Sequence, residues 1–161
     1  MKKRIAISVI TSFGIFMSAC GGGQSEGSAP AATSVTPAPA APSPDQYDPK
    51  RGEGKFKDIT VGDKLDEAIA ATGKKVFDVK CSSCHKLTEE KLVGPGWKGV
   101  TSRRQPAWIM NFITNTDEMI NKDPAAQALL ELCLVRMPNQ SLSDEDARGA
   151  LEYMRKNDGV K

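Results

Sequence analysis

Residues 81–85 read Cys81-Ser82-Ser83-Cys84-His85. Two cysteines separated by two residues and followed at once by a histidine form the attachment signature of c-type haem. The spacing matches the span between the two vinyl groups that thioethers join, and the following turn carries the imidazole beneath the ring. Three plainer readings compete. A thioredoxin-like pair opens a helix after a strand, whereas the residues before Cys81 are patterned as helix. A zinc knuckle needs two further ligands, yet His85 is the only histidine and Cys133 the only other thiol in the folded part. An ordinary disulfide is the third. The motif favours haem over all of them.

Working outward to the N-terminus, the 161 residues divide into three. Residues 1–19 begin with Lys2, Lys3 and Arg4, continue through an apolar stretch from Ile5 to Met17 and end in small residues, the pattern of a secretory signal. The apolar stretch is short for a transmembrane helix, which needs about 20 residues. The run Met17-Ser18-Ala19-Cys20-Gly21 resembles a bacterial lipoprotein processing box, which implies cleavage before Cys20 and its lipidation. The plainer alternative is a signal peptide followed by an incidental cysteine. Two or more acyl chains would anchor the protein firmly, where one is marginal. Residues 20–50 are Gly/Ser-rich and then Ala/Pro-rich, with few large apolar side chains, and are expected to be disordered. Such a tether reaches on the order of 50–90 Å. Residues 51–161 are the folded domain.

Export accounts for the cysteines. Thiols outside the cytoplasm tend to be consumed by disulfides; here Cys20 goes to lipid and Cys81 and Cys84 go to haem, leaving Cys133, which is expected to be a buried apolar filler, with an intermolecular disulfide as the lesser alternative. Without Lys2, Lys3 and Arg4 the chain holds 19 basic against 20 acidic side chains, a balance that suggests no nucleic-acid partner. The charge is nevertheless polarised. From Lys50 to Arg104 there are 13 basic against 8 acidic residues, and from Gln105 to Lys161 only 6 against 9. Such asymmetry can orient a redox partner, although scattered solvated lysines would read the same way.

The domain itself is patterned as helix. Leu65, Ala68, Ile69, Val76 and Phe77 recur at helical spacing over Leu65–Val79, with Asp63 as the expected cap and Gly73 as a glycine retained for close backbone approach. Lys55 to Val61 alternates and predicts a short extended piece, expected by default to pack across the folded domain. After the motif, Gly94, Pro95, Gly96 and Gly99 predict an irregular loop from Leu92 to Arg104. Gln105-Pro106 and Asp123-Pro124 each start a helix, and Ser143 with Asp146 starts the last. The expected fold is all-α, about four helices, in a domain small enough that a covalently held apolar macrocycle would supply missing core.

With one histidine, a second iron ligand from this chain is expected to be a methionine sulfur. Met110 and Met154 read as core. Met119, in a short connection, and Met137, in a loop ahead of Pro138, both remain open, as does plain packing of either.

The order helix, C-x-x-C-H, "GPGWKGV", middle helices, "RMPNQSLSDEDARGALEYMRK" closely resembles single-haem class I cytochromes c over roughly Leu65 to Lys156. That resemblance implies one haem c, His85 and Met137 as axial iron ligands, and Pro95 as the carbonyl that receives the imidazole N–H. It also implies Trp97 packed on the haem, and Gly73 and Phe77 crossing the last helix near Leu151. Cys133 is a departure from the family pattern. The whole chain further resembles lipoprotein cytochromes found beside nitrous-oxide reductases. The implied function is an electron carrier and not an enzyme, monomeric and held by lipid on the periplasmic side of a bacterial membrane. Electrons would come from a quinol-oxidising complex and pass to a terminal reductase, such as nitrous-oxide reductase, or an oxidase. Lys80, Lys86, Lys98 and Arg103 are the charges expected around the docking face. The rival readings are a haem-relay subunit of a larger complex, and a haem sensor or enzyme with a labile sixth ligand.

Overall fold

Asp66, rather than the expected Asp63, opens the first helix, because its carboxylate accepts from the Ile69 N–H at 2.9 Å and so satisfies a backbone donor that has no partner within the helix. The computed structural model describes residues 47–161. The signal segment 1–19, the lipidation residue Cys20 and all of the 20–50 linker except residues 47–50 lie outside the described residues. Helix α1 (Glu67–Val76) stops before Val79. The chain then widens into a π-helical turn, Phe77–Cys81, closed by the Ser82 N–H on the Phe77 carbonyl at 2.9 Å. That wider turn leaves Val79 exposed while burying Phe77 and Cys81.

The remaining helices are α2 (Val100–Arg103), α3 (Pro106–Thr114), α4 (Thr116–Lys122), α5 (Pro124–Cys133) and α6 (Asp144–Asn157). Among the described residues the fold is all-α as expected, with six α-helices where about four were foreseen. The excess has two sources. One is the turn of helix α2 inside the Gly-rich loop, where the Asp158 carboxylate at the end of α6 accepts from Gly99 N at 2.6 Å, Thr101 N at 2.9 Å and Thr101 Oγ1 at 2.6 Å. A partner far along the chain thus supplies the cap that the local sequence lacks. The other is α4, joined to α3 at Asn115 and to α5 at Asp123. The Asp123 carboxylate is almost wholly buried and accepts from Ala126 N at 2.8 Å, Trp108 Nε1 at 2.9 Å and the Tyr47 hydroxyl.

Helices α1 and α6 pack at a glycine pair. A Cβ placed on Gly73 would lie 1.9 Å from the Gly149 carbonyl oxygen, so the two backbones touch and no side chain fits. The crossing is therefore at Gly149, with Leu151 buried beside it in the core. Below the crossing, Glu152 is fully buried, and its carboxylate accepts from Asp66 N at 2.9 Å and from the guanidinium groups of Arg155 at 2.6 Å and Arg148. Arg155 also donates to the Gly62 carbonyl. Every partner of this buried charge is thus within the chain, which is the condition for tolerating it.

Residues 47–62 form a strap that packs across the domain, as expected for its Lys55–Val61 piece, without strand pairing. Buried Asn111 on α3 donates to the carbonyls of Arg51 and Phe56, each at 2.9 Å, and accepts from Phe56 N at 3.0 Å. Phe56, Ile59 and Val61 pack on the core from there. The packed chain therefore reaches back to Tyr47, ahead of the expected boundary at residue 51. Among the described residues no helix is long and apolar enough to cross a membrane.

Candidate haem site

The π-helical turn feeds directly into the motif. Cys84 N and His85 N both donate to the Cys81 carbonyl, at 3.0 and 2.9 Å, which folds the five residues into one compact turn. Cys81 is buried, Cys84 is half-buried, and both thiols are free. Burial pushes the Cys81 thiol up to about 11. A redox-active C-x-x-C nucleophile has a lowered pKa, so this environment suits a thiol awaiting a covalent partner better than a thioredoxin-like centre. Among the described residues no group of three or more His, Cys, Asp or Glu side chains is placed to hold a metal ion. The zinc-knuckle reading lacks its ligand set.

The imidazole of His85 is fixed by its surroundings. Its Nδ1 lies 2.8 Å from the Pro95 carbonyl oxygen; a carbonyl only accepts, so the proton sits on Nδ1 and the Nε2 lone pair is left for a metal. Burial lowers the pKa of His85, and the Pro95 contact opposes this in part, so the ring is neutral. Gly94 sits against the same ring. A Cβ there would meet His85 Cε1 at 2.4 Å, and any larger residue would displace the imidazole.

His85 borders two neighbouring cavities. The larger, of about 310 Å³, is walled by Cys81, Cys84, Trp97, Trp108, Ile109 and Leu142 among others. The smaller, of about 60 Å³, is walled by Ile120, Leu130 and Cys133 among others. Cys84, His85, Pro95, Phe112, Leu129, Met137 and Pro138 border both. Trp97 is buried and stacks edge-on against Phe77, with ring centroids 4.8 Å apart. An apolar slot lined by two free thiols, a neutral imidazole and a thioether has the donor set and wall chemistry that a haem c requires. The residues fit the group.

The structure separates the methionines. Met119 is inside α4, fully buried; the Glu53 N–H points at its sulfur at 2.9 Å, and it borders neither cavity. The expectation that it lies in a connection is corrected, and its sulfur serves the strap. Met110 is core, and Met154 borders only the larger cavity, from α6. Met137 alone among them borders both. Its neighbour Arg136 donates to Asp117 Oδ1 and the Asp117 carbonyl at 3.2 Å and to Asn121 Oδ1 at 2.9 Å, tying the methionine loop to α4. On the far side of the loop, Lys80 Nζ donates to the Gln140 carbonyl at 2.9 Å. These anchors had no signal in the sequence, because each joins residues distant along the chain.

Two further expectations change. Cys133 is not a buried filler; it is half-exposed at the end of α5 and borders the smaller cavity, since the α5 C-terminus opens toward Met137. The four cations expected around a docking face do not act alike. Lys80 and Arg103 border the larger cavity, whereas Lys86 pairs with Glu90 at 2.7 Å and Lys98 donates to the Asn157 carbonyl at 2.9 Å. Arg104, which sequence reasoning did not single out, also borders the larger cavity and lies over the Trp108 ring at 4.6 Å.

Residues 70–158 match the family model for cytochrome c. A search of curated proteins found no match. Among solved structures the chain is similar to a cytochrome c from Rhodothermus marinus, with 36% identity over 65% of this chain and 90% of that one, at a TM-score of 0.63. An engineered form of that Rhodothermus protein, described as bound to a carbene intermediate, is 35% identical with the same coverage, at a TM-score of 0.60.

Proposed function

The chain belongs to the cytochrome c family, whose members bind one covalently attached haem c and generally carry electrons, and from that premise we propose a single-electron shuttle tethered to a membrane through lipidated Cys20. In this reading Cys81 and Cys84 would supply the two thioether sulfurs, and His85 and Met137 would hold the iron. When bound, the haem supplies the one-electron Fe(III)/Fe(II) couple, at a potential raised by Met/His ligation. Pro95 keeps the proton on Nδ1 of His85, so the ring always offers the same nitrogen and the same orientation. Trp97, Phe112 and Leu129 exclude water, and Arg136 and Lys80 hold the methionine loop closed. With Met137 holding the metal, small molecules would be kept off it, which separates a carrier from a sensor or an enzyme.

The observation that carries this reading is the slot bordered at once by Cys81, Cys84, His85 and Met137. The test is expression in a host with haem-ligation machinery, followed by mass and absorption measurements on wild type and Met137→Ala. Wild type is expected to gain the mass of one haem and show the weak long-wavelength band of methionine–iron(III) ligation. Met137→Ala should lose that band and bind carbon monoxide when reduced. A wild-type protein of bare polypeptide mass would end the reading, and a Met137→Ala spectrum identical to wild type would end the ligand assignment.

Tethering is supported by the processing box at Met17–Gly21 and the Ala/Pro-rich residues that follow. It places the protein on the periplasmic side of a bacterial membrane. There it would accept electrons from a quinol-oxidising complex and pass them to a terminal reductase, such as nitrous-oxide reductase, or an oxidase. Cys20→Ser should move the protein from the membrane fraction to the soluble fraction.

A further inference from the structure

Five of the six large apolar side chains that the described residues leave exposed come from two segments that meet beside the haem slot. Leu92 and Val93 follow the motif, and Leu132, Leu134 and Val135 lead into the methionine loop. The segments are joined where Lys91 Nζ donates to the Leu132 carbonyl at 3.1 Å. Val93 and Val135 border the smaller cavity beside Cys84 and Met137, but Leu92, Leu132 and Leu134 border neither cavity. A haem bound in the slot therefore leaves those three leucines uncovered. Leu134 is the extreme case, 84% exposed and held at φ 58°, in the left-handed region. Glycine would cap α5 there without strain, and a polar residue would suit the solvent, so folding stability does not account for a leucine at this position.

We propose that this face is the transient docking surface through which electrons pass to and from a partner, and that the partner is a redox protein presenting an apolar, weakly charged face of its own. The inference rests on the haem reading above and names the partner chemistry that reading leaves open. Size excludes a permanent interface. The five side chains expose on the order of 500 Å², so two such faces bury about 1,000 Å², short of the ~1,200–2,000 Å² of stable complexes and typical of electron-transfer encounters. Charge agrees. Lys91 and Arg136 at the rim are engaged within the chain, by Leu132 and by Asp117, and Lys86 pairs with Glu90; Glu89 and Glu131 are the flanking carboxylates. The surface has little net charge with which to steer a strongly charged partner.

The simplest partner of this chemistry is a second copy of the holoprotein in the opposite redox state. Electron self-exchange, read by NMR on half-reduced holoprotein at low and high salt, is the test. Wild type should exchange at rates that change less than about twofold with salt. Leu132→Glu/Leu134→Glu should slow exchange about tenfold at low salt and recover partly at high salt, through like-charge repulsion. The uncharged Leu132→Ser/Leu134→Ser protein covers the case in which the glutamate variant folds poorly, with about threefold slower exchange expected. Lys57→Glu/Lys75→Glu, exposed on the strap and on α1 and belonging to neither segment of the face, should stay within about twofold of wild type. Both serine and glutamate variants exchanging at the wild-type rate would overturn the proposal, as would slowing by the lysine substitutions, or a stable dimer in sedimentation that the leucine substitutions dissolve. A chain that takes up no haem removes the functional reading itself, and is told apart because no red protein then exists to assay.

Discussion

The α1–α6 crossing and the methionine loop sit at opposite extremes of one domain. At the crossing, two glycines bring backbones into contact, and a fully buried carboxylate is ringed by two guanidinium groups and a backbone N–H. The loop from Leu134 to Leu142 has no regular structure, includes both of the described non-glycine residues with positive φ, Leu134 and Ser141, and is held by hydrogen bonds from exposed Arg136 and half-buried Lys80. The π-helical turn and motif that place His85 are attached to the first region, and Met137 hangs from the second. His85 is thus built into the stable frame, while the Met137 sulfur depends on a few anchors at or near the surface. Local stability in proteins is uneven in just this way, with ligand loops drawn from the weaker end.

That contrast can be broken most severely at Gly73. Gly73→Ala puts a methyl group 1.9 Å from the Gly149 carbonyl, and chemical denaturation of the holoprotein should show a loss of about 3–5 kcal/mol, with the spectrum of surviving folded protein unchanged. Glu152→Gln comes next, at about 3 kcal/mol, because it strands buried Arg155 and disrupts the ring of donors. The same group sets an acid limit. Burial would raise the Glu152 pKa, but the Asp66 N–H and the two arginines outweigh it and hold the carboxyl below its ordinary 4.5. The folded state then releases this proton more readily than the unfolded chain does. Its stabilisation is complete above 4.5 and lost as pH falls through the lower folded value. Wild type should therefore lose stability between pH 5 and the acid transition more steeply than Glu152→Gln, a difference visible in unfolding midpoints measured against pH.

On the loop side the expected effects on folding are small. Leu134→Gly should stabilise the domain by about 1 kcal/mol, by relieving the left-handed leucine; an unchanged or lower midpoint would show that the leucine makes a compensating contact. Arg136→Ala should cost the least, under about 1 kcal/mol, as expected for an exposed ion pair. Its signature lies elsewhere. The long-wavelength methionine band should weaken and added imidazole should bind more tightly, with Arg136→Lys restoring part of both. If Arg136→Ala leaves imidazole affinity at the wild-type value, the loop is firmer than its visible anchors imply.

Much of this was legible in the chain. The helix starts at Pro106, Pro124 and Ser143 announce themselves through proline and capping chemistry that acts within one turn, and Gly73 signalled a close approach that the crossing realises. The Pro95 carbonyl lies 2.8 Å from His85 Nδ1, as the family resemblance implied. What was missed involves partners far apart in sequence. Asp158 caps α2 and Asn111 gathers the strap, while Glu53 reaches the Met119 sulfur and Arg136 reaches across to α4. Met119 could not be removed from contention without knowing that α4 exists, and Cys133 could not be placed without knowing which way the end of α5 opens.

The amino-acid order alone determined the chemistry of the site, because two thiols and an imidazole within five residues are brought together by a single turn of backbone. It also determined the helical class, since apolar periodicity and caps act over a few residues. Which methionine borders the slot, which cations surround it and which leucines stay uncovered were settled only by the fold. Those properties depend on how separate helices pack, and the contacts that decide the packing join residues that the sequence holds apart.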